Sequence, residues 1–162
     1  MKTKAVWLLL AVWACAATGC RDETPAKNGW IHGDSSQRWQ TVEKQLRGLD
    51  VAMVEIGYRY QEFYWAGMDS NWEYADYQLT KMKLSLENAL ERRPKRRPSA
   101  EELFLPSLDE MKRAVATRQR GAFEESFGGL TAGCNSCHVA EGVASFRVER
   151  PADRQSPIRA PR

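Results

Sequence analysis

Histidine and cysteine are scarce in this chain, which has 162 residues, two histidines and four cysteines. The histidines are His32 and His138, and two of the cysteines, Cys15 and Cys20, lie within the first twenty residues. This inventory excludes a Ser-His-Asp or Cys-His-Asn catalytic triad. It also lacks the four nitrogen or sulfur ligands of a structural zinc site. Because no glycine-rich phosphate loop is present either, we expect that the protein is not an enzyme.

Long apolar runs and a strong net charge are also missing. The longest apolar run, Ala5 to Ala14, has about ten residues, whereas a helix that crosses a bilayer needs about twenty. The net charge of +3 gives no argument for a nucleic-acid partner. Runs of β-branched residues are nearly absent, while Leu, Glu, Ala, Arg and Lys are plentiful, and this composition favours helices.

The first twenty residues have the features of a secretory signal. Lys2 and Lys4 precede the apolar run, and the small residues Ala16-Ala17-Thr18-Gly19 lead to Cys20. This order predicts a signal peptide of the lipoprotein type over 1–19, with Cys20 diacylated as the first mature residue. The alternative is ordinary cleavage that leaves Cys20 free. If Cys20 is acylated, we expect the protein in the periplasm as a membrane-anchored lipoprotein. Either the inner or the outer membrane is compatible with the sequence.

The other two cysteines belong to the segment Cys134-Asn135-Ser136-Cys137-His138, which is a C-x-x-C-H motif. Two thiols on one helical turn can each add to one of the two vinyl groups of a haem, and the next residue then lies under the iron. C-x-x-C-H is the attachment signature of c-type haem. A redox-active C-x-x-C would need a βαβ context, which the sequence does not offer. We therefore predict one covalent haem c, with thioether bonds to Cys134 and Cys137 and with His138 as the proximal iron ligand.

Apolar residues recur at alternating gaps of three and four in four stretches, a pattern typical of amphipathic helices. The predicted fold is all-α, an antiparallel up-down-up-down four-helix bundle with haem attached on the fourth helix. A polar stretch at 20–35 is expected to be a flexible spacer, 36–150 the helical cytochrome domain, and 151–162 a disordered tail. The first helix is predicted as one continuous element from about residue 36 to residue 67.

Local signals set the other helix ends. The pairs Ser70 with Glu73 and Ser99 with Glu102 predict capping boxes at the start of the second and third helices. Gly142 is expected to end the fourth helix. The alternation places both haem thiols on the inward face of that helix.

The segment from Tyr64 to Tyr77 fits the pattern A-G-x-x-x-N-W-x-x-A-x-Y, and C-x-x-C-H follows far downstream. Other matching positions are Phe123, Phe127, Leu130-Thr131, Phe146-Arg147-Val148 and Pro151. From about residue 51 to residue 151 the chain thus resembles a family of small bacterial c-type cytochromes with a four-helix, cytochrome c′-like fold. The resemblance implies one haem near the C-terminus of the bundle, and bundles of this kind often form homodimers. Tyr60 departs from it, since relatives often carry His there.

The sixth ligand of the iron decides between two functions. Met68, in the turn before the second helix, is a candidate distal ligand, whereas Met53, Met82 and Met111 lie on helical stripes typical of core filler. His32 lies in the spacer. Five-coordinate iron beside Tyr60 or Phe63 is the other option.

Trp72 and Tyr77 are candidates for the haem pocket, or else ordinary packing residues.

We expect electron transfer with redox partner proteins at the periplasmic membrane surface. The alternative is a five-coordinate protein of the cytochrome c′ type that binds small gases or senses redox state. The basic segment Arg92 to Arg97 could dock an acidic redox partner or lie on anionic lipid, or simply be a solvated linker.

The covalent linkage makes the first testable prediction. The exported full-length protein should be coloured, and its pigment should stay with the polypeptide in acidified acetone because thioether bonds survive this extraction. Absorbance of the two phases measures the outcome. A colourless product, or a pigment that passes into the solvent, would contradict the assignment.

Overall fold

The computed structural model describes residues 29–160, and these divide into two units, one ending at Leu46 and the other starting at Arg47. The first unit contains helix α1, Ser35–Gln45. The second contains α2, Leu49–Met68, and α3, Trp72–Arg92, then a short 3-10 turn, Pro94–Arg96. It continues with α4, Arg97–Leu103, α5, Leu105–Thr117, and α6, Arg120–Ala140. The described residues contain no strand, so the all-α prediction is confirmed for them.

The continuous first helix predicted over 36–67 is wrong, because the chain leaves the helix between Gln45 and Leu49. Gly48, which costs about 1 kcal/mol in a helix interior, takes a non-helical conformation and becomes the N-cap of α2. Its N–H donates to the Asp50 carboxylate at 3.1 Å. The apolar spacing runs through the break, but Trp39 is 72% exposed and Leu46 is 56% exposed. The stripe therefore does not continue as a buried face before α2.

Both predicted capping boxes are wrong as well. At the start of α3 the cap is Asn71, whose side chain accepts the Tyr74 N–H at 3.4 Å, while Ser70 has a left-handed backbone with φ of 56°. In the third helical stretch, the Ser99 hydroxyl donates to the Arg96 carbonyl, within a helix that has already begun. The stretch is also interrupted at Phe104, because Pro106 cannot donate the backbone hydrogen bond that would continue the helix.

Four long helices of the second unit surround one core. Helix α2 packs on α3, α3 on α5, α5 on α6, and α6 on α2, while the short α4 packs on α5 and α6. The largest fully buried side chains come from all four long helices: Phe63, Met82, Leu86, Leu90, Leu108, Met111, Phe123, Phe127 and Leu130.

Helices α2 and α6 run antiparallel, and aromatic contacts fix their register. The Phe63 ring lies 5.0 Å from Phe123, and Tyr60, one turn earlier, lies 4.7 Å from Phe127, one turn later. Next in the series, the hydroxyls of Tyr60 and Thr131 are 2.7 Å apart. This register determines which part of α2 lies beside the C-terminal turns of α6.

The segment after residue 150 contains no helix or strand in its described part, residues 151–160, where the sequence predicts a disordered tail. Arg154 in this segment donates to both carboxylate oxygens of Asp69, at 2.7 and 2.6 Å. Its guanidinium also lies 4.8 Å from the centre of a Trp65 ring. The Arg154 guanidinium holds the pKa of Asp69 below its usual range.

The contact between α2 and α6 makes a stability prediction. A Cβ at Gly67 would overlap the ring of Phe123, which is fully buried. We expect Gly67→Ala to lower the free energy of unfolding by about 1–3 kcal/mol, the usual cost of overpacking. Urea unfolding measures it.

Gly57→Ala on the same helix is the matched control, because a Cβ there meets no atom within 4 Å. Its expected effect is a gain of about 0.5–1 kcal/mol from helix propensity. Equal stabilisation by both substitutions would mean that Gly67 is not a close-approach position.

Candidate haem site

The C-x-x-C-H motif lies in the last two turns of α6, which ends at Ala140. Cys134 and Cys137 are free thiols, three residues apart on one face, and both are half-buried against the core. Burial raises the pKa of Cys134 to about 12, and the nearby Cys137 adds to the shift. The pKa of Cys137 is raised by burial and by Glu141, against a hydrogen bond from Ser99. Both thiols are therefore protonated near neutral pH, which slows thiolate chemistry such as disulfide exchange.

Gly133 lets α6 approach the junction between α4 and α5. A Cβ on this residue would lie 2.8 Å from the Leu103 carbonyl oxygen and 2.9 Å from the Ser107 hydroxyl oxygen. Only glycine fits this contact without a shift of backbone, so it sets the position of Cys134 next to it. This role was not predicted from the sequence, where the available signal is a glycine directly before the motif.

His138 is half-buried, and its Nδ1 lies 2.5 Å from the carbonyl oxygen of Phe146. A carbonyl can only accept a hydrogen bond, so Nδ1 must carry the proton. In the neutral ring, Nε2 then keeps its lone pair. This is the arrangement of a histidine that binds metal through Nε2 and donates its other N–H to a carbonyl.

A tight turn returns the chain toward His138. Gly142, at φ of 75°, follows the helix, its N–H donates to the Val139 carbonyl at 3.1 Å, and the Val143 N–H donates to the His138 carbonyl at 2.8 Å. These two bonds form a Schellman motif, which closes the helix with its last carbonyls satisfied. The prediction that Gly142 ends the fourth helix is confirmed.

Tyr60 lies beside this site from α2. Its hydroxyl is 2.7 Å from the Thr131 hydroxyl and 3.2 Å from the Glu149 carbonyl oxygen. Tyr60 therefore contacts both α6 and the chain that follows it. Burial raises the pKa of Tyr60 to about 12. Phe63, the other residue expected to wall the distal side, packs on Phe123 and Phe127, further from the motif.

Met68 and Trp72 lie at the opposite end of α6. Gly67, next to Met68, contacts the Phe123 ring, and the ring of Trp72 lies 6.1 Å from that of Phe123. From Phe123 to Cys134 there are eleven residues of helix, about 16 Å. The structure thus does not bring the candidate distal ligand or this candidate pocket residue to the thiols.

Tyr77 lies on the surface of α3. It is 51% exposed, stacks on Tyr74 with ring centres 6.4 Å apart, and has the Lys81 ammonium 5.7 Å from its ring centre. These are contacts of a solvent-facing side chain rather than of a pocket wall.

The antiparallel register of α2 and α6 places Met53 on the same side of the Tyr60–Thr131 contact as His138. Met53 precedes Tyr60 by seven residues, and His138 follows Thr131 by seven, which is about 10 Å in each helix. Met53 is half-buried against the core. This contact agrees with the sequence prediction of core filler, as does the full burial of Met82 and Met111, but spacing alone does not tell which end of α2 faces the motif.

Several expectations concern other parts of the chain. The predicted signal peptide and the predicted lipidation site Cys20 lie outside the described residues. His32 is exposed, ahead of α1. Within residues 29–160, no helix has the length and apolar character needed to cross a membrane. The same residues contain no group of three or more His, Cys, Asp or Glu side chains that could hold a metal ion.

Comparisons with known proteins give no relative. No family model, curated protein or solved structure matches the chain.

His138 makes a testable prediction. In His138→Ala, haem attachment at Cys134 and Cys137 should be impaired and the iron poorly ligated, because the Nε2 lone pair is lost. The visible spectrum of the purified exported protein, scaled to protein concentration, measures this. His32→Ala is the matched control and should keep the wild-type spectrum. A normal haem spectrum in His138→Ala would exclude His138 as the proximal ligand.

Proposed function

We propose that the protein is a monohaem c-type cytochrome that transfers electrons at the periplasmic membrane surface. The observation that carries the proposal is the hydrogen bond between His138 Nδ1 and the Phe146 carbonyl, because a ring protonated at Nδ1 keeps the Nε2 lone pair for a metal. This imidazole directly follows two unpaired, half-buried thiols on one helical turn. The donor set fits covalent haem, with Cys134 and Cys137 as thioether links and His138 as axial ligand.

The overall architecture we propose is an antiparallel four-helix bundle formed by α2, α3, α5 and α6. Two observations support it. Each of the four helices packs on two of the others, so that the contacts form a closed ring, and α2 and α6 run antiparallel. Such a fold agrees with the resemblance to small cytochromes of the cytochrome c′ type. The motif then lies on the last helix of the bundle.

Haem c, when bound, supplies an iron that changes between the ferric and ferrous states at a potential set by its ligands and surroundings. The chain's own residues hold this group and tune it. Cys134, packed against the core, keeps one side of the attachment away from water. The Phe146 carbonyl accepts a hydrogen bond from Nδ1–H of His138, and this bond makes Nε2 more basic. Cys137 and His138 remain partly exposed, which supports electron exchange with a partner in solution.

Electron transfer is favoured over gas binding by the position of Met53, because a thioether on the same side of the Tyr60–Thr131 contact as His138 supports a second axial ligand. A His/Met pair on iron is typical of electron-transfer cytochromes. The competing hypothesis is a gas-binding or redox-sensing protein with five-coordinate iron.

The basic segment Arg92 to Arg97 lies next to the C-terminal end of α6. Arg96 forms an ion pair with Glu141, and the Ser99 hydroxyl also donates to Glu141. Arg93, Lys95 and Arg96 are exposed. Positive charge close to the attachment site supports docking of an acidic redox partner, since complementary charge raises the rate of encounter. We further propose that the lipidated Cys20 and the spacer at 20–35 tether the domain to the membrane.

The optical spectrum of the reduced, full-length protein tests this function. We expect split visible bands of low-spin iron that do not change when CO is added. Met53→Ala should open the sixth position, so that the spectrum becomes high-spin and shifts with CO.

Met68→Ala is the control and should behave as the wild type, because Met68 lies at the other end of α6. A wild-type spectrum that is already high-spin and shifts with CO would reject electron transfer by six-coordinate iron and support the sensor.

A further inference from the structure

The side chain of Asn135, between the two cysteines of the motif, pairs with the peptide backbone of Val148. Its Oδ1 accepts the Val148 N–H at 2.8 Å, and its Nδ2 donates to the Val148 carbonyl at 2.9 Å. The same Nδ2 donates to the Thr131 carbonyl one turn earlier in α6, at 3.0 Å. The Asn135 amide therefore binds both the N–H and the carbonyl of Val148, and it holds the chain that follows α6 against this helix.

This pairing holds the carbonyl on which His138 depends. Phe146 lies two residues before Val148, and its own ring is 65% exposed, so the ring does not fix the backbone here. Val148 is half-buried against the core, and the hydroxyl of Tyr60 lies near the carbonyl of the next residue, Glu149. The segment 146–149 is thus held by His138 at one end, Asn135 in the middle and Tyr60 at the other end.

Asparagine suits this position for a chemical reason. An amide offers a donor and an acceptor side by side, which match the carbonyl and N–H of one residue. An aspartate at 135 would offer only acceptors and would oppose the Val148 carbonyl. A serine or alanine would leave the Val148 backbone groups without this partner.

We infer that Asn135 is a positioning residue that fixes the orientation and tautomer of His138 by holding the Phe146 carbonyl against Nδ1. This inference rests on the proposed haem attachment, and it gives one of the two variable positions of C-x-x-C-H a defined role. A donated Nδ1–H makes Nε2 a stronger base and stabilises the ferric state relative to the ferrous state. Loss of the Asn135 pairing should therefore shift the reduction potential to more positive values.

The test uses full-length, exported Asn135→Ala protein beside Ser136→Ala, a control at the other variable position of the motif, whose side chain is exposed. Spectroelectrochemical titration should give a more positive midpoint for Asn135→Ala and an unchanged midpoint for Ser136→Ala. Hydrogen exchange of the Val148 amide, followed by NMR, should become faster only in Asn135→Ala. Tyr60→Phe, which removes one hydroxyl from the same segment, should shift the midpoint in the same direction by a smaller amount.

Two results would overturn the inference. One is a Val148 amide that exchanges at the wild-type rate in Asn135→Ala. The other is faster exchange with an unchanged midpoint, which would mean that the pairing holds the chain but does not act on His138.

A colourless wild-type protein would instead reject the proposed function. The positioning role is then judged by the ¹⁵N shifts of the neutral His138 ring, in which the Nδ1–H tautomer should lose population in Asn135→Ala and not in Ser136→Ala. Equal tautomer populations in the two variants would overturn it.

Discussion

The hydrogen bond between the His138 imidazole and the Phe146 carbonyl is the interaction on which the proposed site depends. It decides which ring nitrogen is protonated and therefore which one can bind iron. The bond joins a residue on α6 to a residue beyond its end, so it exists only because Gly142 turns the chain back. The chemistry of one imidazole thus depends on a helix ending within a few residues of the motif.

The position of α6 depends in turn on two glycines. Gly67 admits the Phe123 ring at the far end of the helix, and Gly133 admits the α4–α5 junction beside the thiols. Between them, Phe127 and Thr131 set the register against Tyr60. These contacts position the last two turns of α6, which carry the C-x-x-C-H motif, although none of these groups belongs to the motif.

The sequence correctly predicted the helical class and the end of α6 at Gly142, because both follow from local patterns, whereas the haem attachment residues stay a prediction from motif chemistry. It failed where two local signals competed. The apolar spacing across Gly48 looked continuous, and Ser70 looked like a better cap than Asn71, which lies one residue later. The sequence favoured Met68 over Met53 as the candidate distal ligand, because spacing does not give the direction and register of α2 against α6. Tertiary contacts fix that register, namely the ring contacts of Phe63 and Tyr60 with α6 and the Tyr60–Thr131 hydroxyl contact.

The Arg154–Asp69 ion pair has a practical consequence for handling the molecule. Asp69 follows α2 at the end that faces Phe123, away from the thiols, and the Ala160 backbone also contacts its carboxylate. The last described residue, Ala160, therefore lies beside the end of α2 that is away from the cysteines. A label placed beside Ala160 would lie at the end of α2 away from the cysteines, whereas an insertion between Gly142 and Val148 would disrupt the turn that returns the chain to His138.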